Sequence, residues 1–227
     1  MKKLAQALLT TGLITAAFAA EAQESPISAN VALTTDYIYR GVSQTSGGPA
    51  IQGGFDFASE SGFYLGTWAS SITFDDSIEI DYYGGFSGSL TEDVGYDVGF
   101  LYYDYPGMSS DDFLEFYGVL SYGGLSGSIN YSDDFYAGVG PAWFYTLDYG
   151  FDLGNDVALG LHYGLQTYDT AVWGTEDSYS EYNISLSKSY GGIDFSLMYT
   201  DTDLSDANCG GSSDCDSTVV FSLGKSF

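Results

Sequence analysis

Apolar and polar residues alternate along most of the chain, in segments of about ten residues. Every second residue is apolar from Val157 to Leu165, and the same holds from Ile193 to Tyr199. A period of two predicts β-strands with one apolar and one polar face. Because this periodicity fits both a soluble sandwich and a membrane barrel, the connections must separate the two. Twelve strands are predicted, at residues 29–41, 50–58, 63–73, 78–90, 94–105, 112–122, 125–135, 141–153, 157–168, 179–190, 193–204 and 218–227.

The connections between these segments alternate between short and long. Short periplasmic turns and longer extracellular loops are typical of outer-membrane barrels. The pattern therefore predicts an all-β fold, a transmembrane antiparallel up-and-down β-barrel of about twelve strands. Short turns of small or polar residues are predicted near 59–62, 91–93, 123–124, 154–156 and 191–192. The longer, acidic connections are predicted near 42–49, 74–77, 106–111, 133–140, 169–178 and 205–217.

The N-terminus has the layout of a secretory signal peptide. Two lysines precede an apolar run over residues 4–18, and small residues then offer cleavage after Ala22 or, alternatively, after Ala19. Beyond this segment no apolar run reaches the length of about 18 residues that a spanning helix needs. A chain without such a helix can still cross a membrane as a closed barrel, which leaves no strand edge unpaired in lipid. We therefore expect a signal peptide at 1–22 and an outer-membrane β-barrel at 23–227.

Composition and charge exclude several classes of protein. The chain has 5 Lys and Arg against 31 Asp and Glu; losing two lysines and Glu21 with the signal peptide leaves 3 against 30, a net charge of −27. Nucleic acids bind cationic side chains that replace their counterions, so nucleic-acid binding is excluded. Aromatic residues make up 17% of the chain and apolar residues 44%. Disordered chains lack such residues, whereas the aromatic girdles of a membrane barrel require them.

The polar face of the predicted strands collects the titratable side chains. Since so many carboxylates cannot be buried dry, we expect a lumen that holds water and prefers cations. Arg40, the sole arginine of the chain, fits two roles: a constriction residue that grips an anionic solute group, or a structural ion pair with nearby carboxylates. The candidate pore-lining residues are Asp36, Arg40, Gln52, Asp56, Glu79, Asp81, Asp97, Glu115, Asp148 and His162, and the same face carries Asn130, Gln166, Glu181 and Asn183.

His162 and two cysteines are the remaining candidates for chemistry. A barrel hydrolase would need a nucleophile and a base in hydrogen-bond reach, and the inward parity of His162 does not suit a lipid-facing active site. We therefore predict no enzymatic activity, no cofactor and no metal site. Cys209 and Cys215 lie in the last long connection, and two cysteines in an exported chain favour a disulfide. Outer-membrane lipid and lipopolysaccharide are the expected partners, with divalent cations shared between the acidic loops and lipid phosphates.

Several blocks of the sequence resemble one bacterial family. Residues 36–45 have the sequence DYIYRGVSQT, and residues 49–56 follow with PAIQGGFD. These blocks resemble the TorF family of porin-like proteins, and the resemblance extends over essentially the whole mature chain. It implies a Gram-negative outer-membrane porin and carries over no catalytic or binding residue. Further matching blocks lie at 66–70, 103–107, 131–135, 199–204 and 225–227.

Three functions are compatible with a barrel of this size. Twelve strands lie between about eight, whose interior side chains fill, and about sixteen, which leave an open pore. The leading hypothesis is therefore a narrow, cation-preferring porin for passive diffusion of small solutes. One alternative is a non-conducting structural or adhesive barrel plugged by inward tyrosines, for which Tyr83, Tyr103 and Tyr117 have the required parity. A barrel hydrolase is the other alternative.

Overall fold

The computed structural model describes residues 25–74 and 78–227, which form β-strands and their connections. No helix within these two ranges is long and apolar enough to cross a membrane. The strands are β1 (Ile27–Thr34), β2 (Ile38–Tyr39), β3 (Val42–Ser43), β4 (Ala50–Ala58), β5 (Phe63–Ser71), β6 (Ile78–Ser89), β7 (Val94–Asp104), β8 (Phe113–Tyr122), β9 (Leu125–Phe135), β10 (Gly140–Gly154), β11 (Val157–Tyr168), β12 (Ser178–Tyr190), β13 (Ile193–Thr202) and β14 (Thr218–Ser226).

Twelve of these strands, β1 and β4 to β14, close into an antiparallel barrel. The barrel closes between β1 and β14, where Ala32 lies opposite Gly224, and β1 pairs on its other side with β4, where Ala32 lies opposite Gln52. The predicted barrel and its number of strands are confirmed. Short turns lie at the end of the barrel where β1 begins and β14 ends, here called the turn end. The long connections lie at the opposite end, here called the loop end, and the expected signal peptide lies outside the described residues.

The two faces of the sheet differ as the period-two pattern predicts. Outward side chains are large, apolar and exposed, as for Phe55 at 63% and Leu147 at 55%. Inward side chains are mostly polar and buried, as for Gln166 and Ser132. An apolar belt of this extent is unfavourable in water and favourable against hydrocarbon. The arrangement is therefore that of a membrane barrel.

Two lysines lie on the outward face near the turn end. Lys188 Nζ donates to the carbonyl oxygen of Asn155 at 3.2 Å, and Lys225 Nζ donates to that of Gly192 at 3.3 Å. Their long stems cover apolar surface while the charged groups reach the edge of the belt. Neither lysine therefore contributes charge to the lumen.

The first long connection departs from the prediction. β1 ends at Thr34, so the predicted strand over residues 29–41 is wrong beyond this residue. The chain instead enters the barrel, and residues 36–45 form a small hairpin from β2 and β3. We call this segment the inner hairpin. Its side chains contact inward-facing residues of the wall, so it occupies the loop end of the lumen.

A two-residue turn explains why the chain reverses there. Ile38 pairs with Ser43 and Tyr39 with Val42, which leaves Arg40 and Gly41 as the two turn residues. Their φ angles are 48° and 82°, and positive φ at both central residues defines the type I′ turn, whose twist matches a hairpin. A Cβ atom at Gly41 would lie 2.7 Å from Glu181 Cβ. Glycine is therefore needed both for the backbone conformation and for the close approach to the wall.

The last long connection, residues 203–217, covers the inner hairpin. Cys209 and Cys215 form a disulfide within it, and we call it the disulfide loop. The backbone N–H of Ser43 donates to the carbonyl oxygen of Asp214 at 2.8 Å. Thr202 Oγ1 donates to the carbonyl oxygen of Cys215 at 3.0 Å, which fixes the loop to the end of β13. The disulfide loop therefore holds the hairpin from the loop end.

Candidate functional site

The inner hairpin is fastened inside the barrel through Arg40. Its Nη2 donates to both carboxylate oxygens of Glu115, at 2.8 and 2.6 Å, and its Nη1 donates to Gln166 Oε1 at 2.6 Å. The hydroxyl of Tyr179 donates to the Arg40 carbonyl oxygen at 3.0 Å. Glu115, Gln166 and Tyr179 belong to β8, β11 and β12, so one residue bridges three parts of the wall. Arg40 and Glu115 are each only 2% exposed.

Aromatic rings surround the guanidinium of Arg40. Its Cζ atom lies 4.3 Å from the ring centre of Phe144, 4.8 Å from that of Tyr39 and 5.6 Å from that of Phe135. Burial alone would lower the pKa of Arg40, but the charge and hydrogen bond of Glu115, together with Tyr39 and Tyr103, outweigh this effect and hold the pKa above its ordinary value. The guanidinium is therefore a permanent cation, paired with a carboxylate inside an aromatic box.

A second anchor of the inner hairpin is built on Glu79. Tyr37 donates its hydroxyl proton to Glu79 Oε1 at 2.6 Å, and Tyr105 donates to Glu79 Oε2 at 2.8 Å. Burial and the Glu79 charge raise the pKa of Tyr37 well above its usual value, so the phenol stays a donor. Two residues further along the same strand, the Tyr39 hydroxyl donates to that of Tyr103 at 3.3 Å. The first strand of the hairpin is thus tied to the wall at two points.

Asp36 braces the hairpin internally and does not belong to the wall. Its Oδ1 accepts hydrogen bonds from the hydroxyls of Ser43 at 2.6 Å and Thr45 at 2.8 Å. These side-chain contacts join the two strands of the hairpin in addition to its two backbone-paired positions. Asp36 and Arg40 therefore belong to the inner hairpin and not to the predicted barrel strand, which ends at Thr34.

A row of three titratable residues crosses the wall beside the hairpin turn. His162 Nδ1 lies 2.6 Å from Asp148 Oδ1, and His162 Nε2 lies 2.5 Å from Glu181 Oε1. Both ring nitrogens can donate only in the protonated imidazole, so the geometry suits an imidazolium held between two carboxylates. The row joins β10, β11 and β12, and Glu181 also contacts the hairpin at Gly41.

Tyr64, Tyr83 and Tyr117 lie along the wall instead of across the lumen, whereas Tyr103 stacks on Phe113 and contacts the inner hairpin. The ring of Tyr83 occupies the space above a glycine of the neighbouring strand, since a Cβ at Gly66 would lie 2.3 Å from it. Tyr64 and Tyr117 cover glycines in the same way, and their hydroxyls are in contact. Tyr64 also donates to Asp97 Oδ1 at 2.6 Å. Paired with glycines, these rings take little space from the lumen.

The inward positions change character along the barrel axis. Toward the turn end many of them are serine or glycine, whereas the inner hairpin fills the loop end around Arg40. The small inward residues of the turn end include Ser87, Gly95, Ser121, Ser126, Gly150, Gly160, Ser187 and Ser196.

The structure brings some of the candidate lining residues together and leaves others apart. Arg40 meets Glu115, and Asp148 meets His162. Asp81 lies within electrostatic reach of Glu79 and Glu115, and its Oδ1 atom is buried without a hydrogen-bond partner among the described residues. The other candidates take separate places on the wall, where Gln52 donates to Ser70, Asp56 accepts from Tyr83, and Asp97 accepts from Tyr64.

Sequence reasoning missed the aromatic residues of the site. Tyr37, Tyr179, Phe135 and Phe144 all contact the inner hairpin or belong to it, yet none was a candidate. Gly41 was a weak local sign of a turn, because glycine readily adopts the positive φ that it has here. Over residues 25–74 and 78–227, no three His, Cys, Asp or Glu side chains are arranged to hold a metal ion.

Fold and site together define a small membrane-type β-barrel whose polar lumen is filled at one end by its own first loop. The chain belongs to the family described as "Bacterial protein of unknown function (Gcw_chp)", whose model matches residues 19–227. A search of curated proteins finds no match. The matching family carries another name, so the resemblance to the TorF family stays a prediction.

Solved porins share the fold. The KdgM porin is 13% identical, with a TM-score of 0.59 over 88% of this chain and 99% of that one. The NanC porin is 13% identical, with a TM-score of 0.55 over 87% of this chain and 97% of that one. A further structure holds the KdgM porin in complex with disordered oligogalacturonate, at 12% identity and a TM-score of 0.58 over 88% of this chain and 98% of that one. At such identities the likeness establishes the fold alone.

Proposed function

We propose that this chain is a porin-like channel of the bacterial outer membrane, exported by a signal peptide and open to passive diffusion of small solutes. It is narrow and cation-preferring, and the inner hairpin forms its constriction. The observation that carries the proposal is a sealed barrel with an apolar outer belt and a lumen lined by carboxylates. The apolar outer belt is stable against hydrocarbon, whereas the carboxylates of the lumen require water or solute.

The charge of the lumen supports the preference for cations. Its two cationic side chains among the described residues, Arg40 and His162, are each paired with carboxylates. Asp56, Asp81 and Asp97 face the lumen with no cationic partner in the described part of the chain. Rings of unpaired carboxylates raise the local concentration of cations. The same field would repel a polyanion such as the oligogalacturonate of the KdgM complex, so we expect a different solute here.

The narrowness follows from the strand number and from the inner hairpin together. A barrel of twelve strands has room for side chains and for one further segment, and the hairpin takes that room at the loop end. Solutes would pass between the hairpin and the wall or wait for the hairpin to move. On the membrane side, the aromatic outer surface suits lipid, and the acidic loops suit divalent cations shared with lipopolysaccharide.

Planar bilayers under a KCl gradient test this proposal. We expect a reversal potential with the sign of a cation-selective channel. Asp97→Asn should reduce the magnitude of this potential, because the lumen loses one carboxylate. Asp133→Asn is the matched control, since it removes the same charge from an outward, exposed position. An anion-selective reversal potential, or equal effects of the two substitutions, would contradict the proposal.

A non-conducting structural barrel is the second candidate, and the burial of Arg40 favours it. A variant in which a Gly-Ser linker replaces residues 36–45 separates the two candidates, because it removes the filled part of the lumen and keeps all twelve barrel strands. Ion conductance of the linker variant supports a channel. If neither the wild type nor the linker variant conducts ions, a structural barrel is supported. An enzyme is not favoured, since both nitrogens of His162 are engaged by carboxylates and neither is free to act as a base.

A further inference from the structure

The wall of the barrel contains a complete pocket for a planar cation. Glu115 supplies a carboxylate, Gln166 supplies an amide oxygen, and the rings of Phe144 and Phe135 lie beside the space between them. These four residues come from β8, β9, β10 and β11, so the pocket belongs to the barrel and not to the inner hairpin. A carboxylate, an amide oxygen and two ring faces form the chemistry that recognises guanidinium.

In this structure the pocket is occupied by a part of the chain itself. Arg40 enters it from the tip of a two-residue turn, where its own φ of 48° is unusual for a residue with a side chain. Its Nη atoms use the polar groups of the pocket, but its Nε is buried with no hydrogen-bond partner among the described residues. The guest is therefore held by its terminal nitrogens, which are the atoms that any guanidinium compound shares.

We propose that this wall pocket is a binding site for guanidinium-bearing solutes, and that Arg40 occupies it as an internal substitute for them. The inference rests on the proposed function, since it names a solute class for the lumen. A solute and Arg40 compete for Glu115, so solute binding and hairpin docking exclude each other. The hairpin is thus a constriction that the right solute displaces.

The pocket also determines which cations compete well. Guanidinium presents paired N–H groups in one plane and stacks on aromatic rings, whereas ammonium is a compact and strongly hydrated charge. Glu115 accepts from one nitrogen and Gln166 from another of the same group, 2.6 Å away in each case. We therefore expect guanidinium to bind on the order of tenfold more tightly than ammonium, and uncharged urea to bind far less.

The test uses Arg40→Asn, which empties the pocket and keeps the hairpin. Asn-Gly is the dipeptide that type I′ turns favour, so the turn retains its geometry. In detergent, guanidinium chloride at low millimolar concentration should raise the melting temperature of R40N by about 3 °C. The same salt should leave the wild type and the R40N/E115Q variant unchanged, as should ammonium chloride or urea on R40N. Equal responses of R40N and R40N/E115Q would overturn the proposal.

A second measurement needs no variant. In the wild type, guanidinium competes with Arg40 for the pocket and should accelerate hydrogen exchange of the Ser43 amide. This amide bonds to the disulfide loop only while the hairpin is docked. Unchanged exchange at saturating guanidinium, with ionic strength matched by sodium chloride, would count against the pocket. Neither measurement requires ion conduction. If the protein conducted no ions in a bilayer, the proposed channel function would fail, but the proposed binding site would still be tested by these two measurements.

Discussion

Replacing Glu115 by Gln should release the inner hairpin. The substitution leaves the Arg40 guanidinium buried in its aromatic box without a counter-charge. Loss of one partner of a buried ion pair costs about 3–5 kcal/mol. The Gln amide oxygen still accepts a hydrogen bond, so we expect the lower end, about 3 kcal/mol, which corresponds to a rise of about 100-fold in the undocked fraction.

Amide hydrogen exchange of the reconstituted protein measures this change. The N–H of Ser43 reports docking against the disulfide loop, and the N–H of Gln44, bonded to the carbonyl oxygen of Tyr37, reports the hairpin itself. Exchange should accelerate about 100-fold at Ser43 in the variant if opening limits it. Glu60→Gln is the control, because it removes one exposed carboxylate from a short turn at the turn end, away from the inner hairpin and the disulfide loop.

A double-mutant cycle decides whether the buried charge is the cause. Arg40→Met combined with Glu115→Gln removes both charges, so the double variant should exchange more slowly than Glu115→Gln alone. The expected coupling is about 2 kcal/mol between residues in direct contact. Additive effects, or exchange within twofold of the wild type in Glu115→Gln, would refute the reasoning that this pair holds the hairpin.

Three further perturbations test the disulfide loop, the buried Tyr37 and the apolar outer surface of the barrel. Replacing Cys209 and Cys215 by Ser should destabilise the disulfide loop by about 2 kcal/mol, because the unfolded loop gains conformational freedom. Hydrogen exchange of the Ser43 amide should then become faster. Unchanged exchange would mean that the disulfide loop does not hold the hairpin. The pKa of Tyr37 is raised above its ordinary 10.0 by burial and by Glu79, so the stability it contributes is present below pH 10.0 and is lost as the pH rises toward the folded pKa. Alkaline titration followed by phenolate absorbance should show a late fraction that is smaller by one phenol in Tyr37→Phe, and a late fraction of unchanged size would contradict the burial of Tyr37. On the apolar outer surface, Leu147→Arg at the middle of β10 should cost about 2–4 kcal/mol of folding stability in lipid vesicles, whereas Leu153→Arg near the turn end should cost about 0–1 kcal/mol. Both leucines are 55% exposed. Equal costs would therefore contradict a bilayer centred on the middle of β10.

The barrel itself could be predicted because its information is local. Period-two alternation and turn residues are properties of neighbouring positions, and they predicted β4 (Ala50–Ala58), β9 (Leu125–Phe135) and β11 (Val157–Tyr168) with the bounds that the structure has. Closure then followed from the physical rule that lipid tolerates no open sheet edge. The parity of Glu115 and His162 was likewise available from the strands that carry them.

The inner hairpin was missed because its local pattern imitates a barrel strand. Asp36 and Arg40 continue the polar parity of β1, which only Ile38 interrupts, and Arg40-Gly41 is not among the dipeptides that most strongly favour a type I′ turn. A short hairpin also has the period of a strand, so the periodicity contains no sign of the reversal. The chain enters the barrel because the interior offers Glu115 and Glu79 as partners, which no window of the sequence contains.

The sequence by itself determined a closed, twelve-stranded cylinder with lipid outside and carboxylates inside, because alternation along a strand assigns each side chain to a face. Only the tertiary structure decided what fills the cylinder. Arg40 finds its carboxylate 75 residues away and Gln166 at a distance of 126 residues. Such pairings depend on which strands stand opposite each other across the lumen, and that is a property of the closed barrel alone.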